Sequence, residues 1–398
     1  MYSETEARKL VIEAGTRLVA SGLVARTWGN ISARISSSEF IITPSGRAYD
    51  TLTPADLVKV KVADCSYEGD LKPSSEKGIH ADIYKIRPEA SFVIHTHQNK
   101  ASAVSIGKED LKTYGALSAT ILGELVPCAS YAISSTPMLR KKVAKSVREN
   151  PSSKAFLMTS HGALCIGKDF EEAFALSSEL ENVARQAIET KVMSEGVISI
   201  YSEKAMRKLY ISKKSGTSRY PSQIPDYGSS CRKDDSFFLE LGGNTLEYNL
   251  SALPDDISEA AMIHAEIYKK NPVSVIKHVT DPDIVAISVP GHTLVPCLDD
   301  LAQIAGTRIK TGSGLDLAKK LHGKNAVLIK ECGAFCTGNS TEEANDVELV
   351  LEKAAAAEIY SAFINHPHKL GFFDAFIQRT FYVMKYSKLK NGSEKKHA

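Results

Sequence analysis

At 398 residues the chain is longer than one ordinary domain, so two domains are expected. A formal net charge of +2 gives no electrostatic case for nucleic-acid binding, and neither a signal peptide nor an apolar run long enough to span a bilayer is visible. Seven cysteines without a Cys-x-x-Cys pair read as buried free thiols in a reducing compartment, and with no spanning run in view the expectation is a soluble cytoplasmic protein.

In chain order, the helical spacing of Leu10, Ala14 and Leu18 predicts a helix from Glu4 to Ser21. Thr27-Trp-Gly-Asn-Ile-Ser-Ala-Arg34 reads as a turn into a strand, and Phe40-Ile-Ile-Thr43 as a second strand stopped by Pro44-Ser-Gly46. Glycines at such points let backbone N–H groups approach a ligand, although ordinary surface turns share the spelling. Thr53-Pro-Ala-Asp56 caps a short turn before the alternating strand Leu57-Val-Lys-Val-Lys-Val62.

The stretch from Pro73 to His97 carries the most chemistry. Ser74 and Ser75 are good N-cap residues before the helical run Ile79, Ile83, Ile86, with Glu76 in the first turn. A helix start presents unpaired N–H groups, and here two hydroxyls and a carboxylate join them. Phe92-Val-Ile-His-Thr-His97 reads as a short buried strand whose His95 and His97 point to one side and suit a single metal ion. Leu125-Val-Pro-Cys128 with Tyr131 suggests an edge element, and Ala155 to Gly162 a strand ending in a third histidine, His161. A strand-end histidine serves as ligand and as satisfied core residue about equally often. A long amphipathic helix follows from Asp169 to about Met193. Ser212 to Asp235, rich in Ser, Lys, Gly, Pro and Tyr and without periodicity, reads as a linker. His366-Pro-His368 repeats the His-x-His spelling, but Pro367 and Asn365 mark it as an exposed loop, and Lys385 to Ala398 as a solvated tail.

The second half repeats the first. Ile79-His-Ala-Asp-Ile-Tyr84 returns as Ile263-His-Ala-Glu-Ile-Tyr268, and Leu125-Val-Pro-Cys128 as Leu294-Val-Pro-Cys297. Leu157 to Gly167 returns as Leu328 to Gly338, and Glu171-Glu-Ala as Glu342-Glu-Ala. This is a tandem duplication, and it acts as an internal control. His80 and His264 persist, so His80 reads as a network residue more than as a ligand. Glu76 becomes Ala260, His161 becomes Cys332, and Val275-Ile-Lys-His-Val-Thr280 contains no His-x-His. Thr43-Pro-Ser-Gly46 has no counterpart. Residues lost as a set are read as having worked as a set.

Six motifs in order, Gly29-Asn-Ile-Ser-Ala-Arg34, Thr43-Pro-Ser-Gly46, Pro73-Ser-Ser-Glu76, His95-Thr-His97, Pro127-Cys-Ala-Ser-Tyr131 and Ser160-His-Gly162, resemble the class II aldolase/adducin family. The resemblance implies an α/β fold, a three-layer α/β/α sandwich on a central β-sheet, here duplicated in tandem. The implied layout is a catalytic domain over 1–211, a linker over 212–235, a degenerate domain over 236–385 and a tail over 386–398. Carried over residue by residue, His95, His97 and His161 match the ligands of Zn2+ (or another divalent ion), and Glu76 matches the catalytic acid/base. Asn30, Ser45, Gly46, Ser74 and Ser75 match the substrate-phosphate cradle. Tyr114 lies near the place of a tyrosine that a neighbouring subunit contributes as proton donor.

The implied activity is zinc-dependent aldol cleavage of a ketose phosphate to dihydroxyacetone phosphate and an aldehyde. Three neutral imidazoles leave zinc doubly charged, with open positions for Lewis-acid work on a carbonyl. Alternatives are a pentulose-phosphate 4-epimerase, a dehydratase or a decarboxylase of the same family, or a non-catalytic adducin-like scaffold. The epimerases place Asp where Glu76 stands, which favours cleavage. The implied partners are a small-molecule sugar phosphate and a second copy of the chain, giving a homo-oligomer: a dimer of tandem chains, pseudo-tetrameric in domains.

Overall fold

Strands that are apolar along their whole length need cover on both faces, and this chain supplies it with helices. A computed structural model describes residues 1–24, 28–196 and 198–386; Thr27 and residues 387–398 of the expected tail lie outside it. Two units follow one another, Met1–Lys191 with the downstream segment Asn365–His368, and Val192–Ile364 with Lys369–Val383.

In the first unit the strands are β1 Asn30–Arg34, β2 Glu39–Ile42, β3 Val58–Lys61, β4 Phe92–Thr96, the small hairpin β5 Leu111–Lys112 and β6 Leu125–Val126, then β7 Cys128–Ala129, β8 Ala155–Met158 and β9 Gly162–Gly167. Seven of them form a sheet in the order β3-β2-β1-β4-β9-β8-β7, antiparallel except for β7 with β8. β1, β4, β8 and β9 are buried at every position, while edge strand β3 alternates buried and exposed. Phe40, Ile42, Val93 and Phe156 pack on Ile79 and Ile83 of helix Lys77–Ile86 and on Leu139 and Val143 of helix Pro137–Glu149. Helix Glu4–Ala20, burying Ala7, Val11, Ala14 and Leu18, covers the opposite face together with helix Asn99–Ser105.

The second unit contains β10 Ser229–Lys233, β11 Ser236–Leu241, β12 Asn244–Asn249, β13 Val275–Val279, β14 Thr311–Gly312, β15 Ala326–Ile329 and β16 Gly333–Gly338. Their order, β12-β11-β10-β13-β16-β15-β14, is the first sheet's order element for element. Phe237, Leu239, Ile263, Ile267, Leu321 and Phe335 form the equivalent core. The fold class is therefore α/β, with one central sheet between helices, used twice.

The stretch read as a linker, 212–235, is only partly a connection. Helix Glu203–Ser215 runs into it and stops at Gly216, whose left-handed φ of 72° ends the helix. Its far end is β10, an interior strand of the second sheet. Ser-Ser-Cys-Arg-Lys has no apolar alternation to announce a strand. It is held instead by ladder bonds to β11 and β13 and by the buried Ser230.

Candidate metal centre

The site lies at one end of the first sheet, where β4, β9 and the start of a helix meet. His95 is the fourth residue of β4 and pairs with Asn30 on one side and Leu164 on the other. His97 follows two residues later, just past the strand end, on the same side. His161 comes from the tight turn between β8 and β9, closed by its own N–H donating to Met158 O at 3.0 Å. Gly162 is required at this turn: a Cβ there would lie 2.3 Å from Thr96 O, so no other residue lets β9 run so close to β4.

The three imidazoles converge. His95 Nε2 and His97 Nε2 are 3.0 Å apart, the His95 and His161 rings stack at 5.1 Å, and candidate ligand atoms of all three lie within 4.8 Å of one another. Nitrogens bonded at about 2.0–2.1 Å to one tetrahedral ion stand roughly 3.3 Å apart, close to the 3.0 Å between the His95 and His97 nitrogens. His95 Nδ1 donates to Ala163 O at 2.8 Å, which fixes the tautomer and turns the Nε2 lone pair toward the centre. The donor set and its orientation fit a divalent cation.

Glu76 closes the cluster. Its carboxylate stands 3.2 Å from His95 Nε2 and 3.1 Å from His161 Nε2. Burial opposes its charge, but His161 and His95 outweigh burial and hold the carboxyl well below the ordinary value. The sequence placed Glu76 in the first helical turn. In the structure it is itself the N-cap of helix Lys77–Ile86, and Ser74 Oγ accepts from its N–H at 3.2 Å. The helix thus starts later than the two serines suggested, because Ser74 Oγ turns to the Glu76 N–H and Ser75 Oγ to Ser135, so neither caps it.

Behind Glu76 runs a buried chain of hydrogen bonds. Burial, reinforced by nearby His95, pushes His80 down to about 3, so its ring is neutral and has one donor and one acceptor. Asn30 Nδ2 donates to Glu76 Oε2 at 3.2 Å, which turns its Oδ1 toward His80 Nε2–H. His80 Nδ1 then accepts from Ser32 Oγ at 2.6 Å, and Ser32 accepts from the Tyr84 hydroxyl at 2.7 Å. Asn30, expected in the phosphate cradle, is engaged by Glu76 and His80. His80 is a network residue, as the repeat implied. Ser32 was not singled out from the sequence; its recurrence as Ser230 was the available signal.

Of the other cradle residues, two segments are zipped side by side: Pro44 bridges Pro73, Ser45 N–H donates to Lys72 O at 2.9 Å, and Ser74 N–H to Thr43 O at 3.0 Å. This lays the Thr43–Ser45 stretch alongside Lys72–Ser74, just before Glu76, with Gly46 in a left-handed φ of 74°. The Ser75 hydroxyl lies 2.9 Å from that of Ser135. Tyr114 stands 39% exposed between β5 and helix Ala116–Leu122. The His366-Pro-His368 loop departs from expectation. His366 is exposed, but His368 is half-buried, with its ring 4.4 Å from that of Tyr131 and its Nδ1 2.7 Å from Ser160 Oγ.

At the matching place in the second unit, strand register puts His278 where His95 stands, since each lies opposite the second residue after the turn glycine (Leu164 after Gly162, Phe335 after Gly333). The retained histidine is easily missed because its His-x-His partner has become Thr280. Its nitrogens are spent on backbone: Nε2 donates to Cys332 O at 2.9 Å and Nδ1 accepts from Tyr227 N–H at 3.2 Å. Ser230, His264 and Tyr268 repeat the Ser32, His80 and Tyr84 contacts, at 2.7 Å each. Gly228 precedes them where Asn30 would reach forward. Where the first unit has residues 43–57, the second has the turn Gly242-Gly243 between β11 and β12.

Comparison with known proteins finds the repeat in the same two segments. The profile of the class II aldolase and adducin N-terminal domain matches residues 9–188 and again 226–359. A 5-methylthioribulose-1-phosphate/5-deoxyribulose-1-phosphate aldolase of Escherichia coli O45:K1 is 35% identical over 201 residues, covering 49% of this chain and 92% of its own. The L-fuculose phosphate aldolase of Escherichia coli K12 is 32% identical over 187 residues, covering 47% and 85%. A solved L-fuculose 1-phosphate aldolase is 26% identical, with coverage of 52% and 94% and a TM-score of 0.46.

Proposed function

Because the chain belongs to the class II aldolase and adducin N-terminal domain family, we propose that its first repeat is a metal-dependent aldehyde-lyase that cleaves a ketulose 1-phosphate to dihydroxyacetone phosphate and an aldehyde, while its second repeat is not catalytic. One observation carries this reading: the first repeat gathers three histidines and a buried glutamate at one point, and the second keeps only one of the four. The relatives named above as aldolases support the reaction class.

His95, His97 and His161 would hold a divalent ion, zinc by the nature of three imidazoles. When bound, such an ion supplies Lewis-acid polarisation of the substrate's carbonyl oxygen. The residues do the rest. Glu76 accepts on its carboxylate the proton of the hydroxyl whose carbon becomes the aldehyde and returns it to the carbon on the other side of the breaking bond; a positioned group of this kind contributes about 10²–10⁴-fold. Asn30 and the neutral His80 hold that carboxylate in one orientation. Ser45, Gly46, Ser74 and Ser75 bind the phosphate and fix the register of the substrate. In the reverse, bond-forming direction Tyr114 of a neighbouring copy donates a proton to the aldehyde oxygen and recovers it from Glu76, in a homo-oligomer built as a dimer of tandem chains.

The test is to load the protein with zinc, incubate it with a panel of ketulose 1-phosphates and assay for dihydroxyacetone phosphate. At least one substrate releases it on this reading. An epimerised or dehydrated product with no triose phosphate from any substrate would replace aldol cleavage with another reaction.

A further inference from the structure

Both family-matched segments end before residue 360, yet Asn365–His368 belongs to the first unit. His368 is tied into that unit three ways. Its backbone N–H donates to Ile106 O at 2.7 Å, its ring lies 4.4 Å from the Tyr131 ring at 39°, and its Nδ1 is 2.7 Å from Ser160 Oγ. Ser160 is fully buried, holds a left-handed φ of 61° and directly precedes His161. Its own N–H donates to Ser105 Oγ at 3.1 Å.

The second unit shows what this turn looks like without such an anchor. Glu331 occupies the same position with the same φ of 61°, but it is exposed, and Cys332 follows it. The turn therefore forms without a histidine against it. What the first unit adds is a clamp on the residue before His161.

We infer that His368 is a positioning residue for His161: seated on Tyr131 and bonded to Ser160 Oγ, it holds the turn that aims the His161 ring at His95, His97 and Glu76. The inference rests on reading the three histidines as a metal site. Partners just outside a metal's ligands typically contribute about 10–100-fold to affinity or activity, and His368 acts one residue further out.

The experiment titrates zinc into the full chain and measures affinity without turnover, then kcat and KM separately. His368→Phe keeps a ring on Tyr131 and removes the hydrogen bond, His368→Asn keeps a polar atom near Nδ1, and Ser160→Ala removes the partner. His368→Phe and Ser160→Ala should each weaken zinc binding about tenfold and lower kcat with KM little changed. The double variant should be no worse than either single one, and His368→Asn should recover most of the loss. Zinc affinity of His368→Phe within twofold of the parent, or fully additive losses in the double variant, would overturn the inference while leaving the metal site intact. A parent protein that bound no divalent ion would overturn the metal-site reading and this inference with it.

Discussion

The two repeats share a scaffold and differ in chemistry, and the line between the two is sharp. Both keep the sheet order, the glycine after the turn, the left-handed residue before it and the buried Ser-His-Tyr triad. Those features fix strand register and fill buried space, which both repeats need whether or not they do chemistry. The second repeat has lost Glu76, His97, His161, Asn30 and the loop over residues 43–57. Its remaining histidine, His278, has both ring nitrogens bonded to backbone. A metal ligand becomes a structural residue when its lone pair is given a backbone N–H. The scaffold demands little of the site residues, which explains why all but one could be replaced while the sheet stayed the same.

The comparison can be broken most forcefully at the ligands. His95→Ala or His161→Ala should abolish metal binding and reduce turnover by three orders of magnitude or more, about the scale of losing a metal's Lewis acidity, while Cys332→Ala should change neither. Measurable metal binding in His161→Ala would separate that residue from the centre. Glu76→Gln keeps size and burial but removes the proton acceptor; turnover should fall about 10²–10⁴-fold with metal content unchanged. Full activity in this variant would remove Glu76 from the chemistry. Ser74→Ala and Ser75→Ala should raise KM for a phosphorylated substrate roughly tenfold, the scale of one charge-assisted hydrogen bond, with a smaller effect on kcat. Equal turnover of the dephosphorylated sugar by the parent would contradict the cradle.

The smallest effect concerns what the repeats share. His80 and His264 are both pushed by burial from 6.5 to about 3 in the folded chain. Their folded pKa values are depressed, so between about pH 6.5 and 3 the unfolded chain binds more protons, and stability is lost as the pH falls through that window. Melting temperature should therefore drop on acidification below about pH 6.5, and His80→Gln and His264→Gln should each flatten that dependence. An unchanged slope in both variants would mean that neither ring is held neutral.

Much of this was legible in the sequence because the repeat tested each motif against its own copy. The helix from Glu4 and the buried strand with its His95 and His97 follow from spacing, the loss of Glu76 at Ala260 follows from the repeat, and His161 joined the set only through the family resemblance. The polar strand Ser229–Lys233 was not legible, since its register comes from neighbouring strands and not from alternation. Nor was the fate of His278: its identity is visible, but whether its nitrogens face a cavity or a carbonyl is decided by ring orientation. His368 was hidden for a different reason. It lies 208 residues from its partner Ser160, and only the fold brings such residues together.

The most direct test of a single working site in a duplicated chain is metal stoichiometry. The protein, stripped with a chelator, reloaded with zinc and freed of excess, should contain one ion per chain by elemental analysis, and none when His161 is replaced by alanine. Two ions per chain, or none after loading, would contradict it.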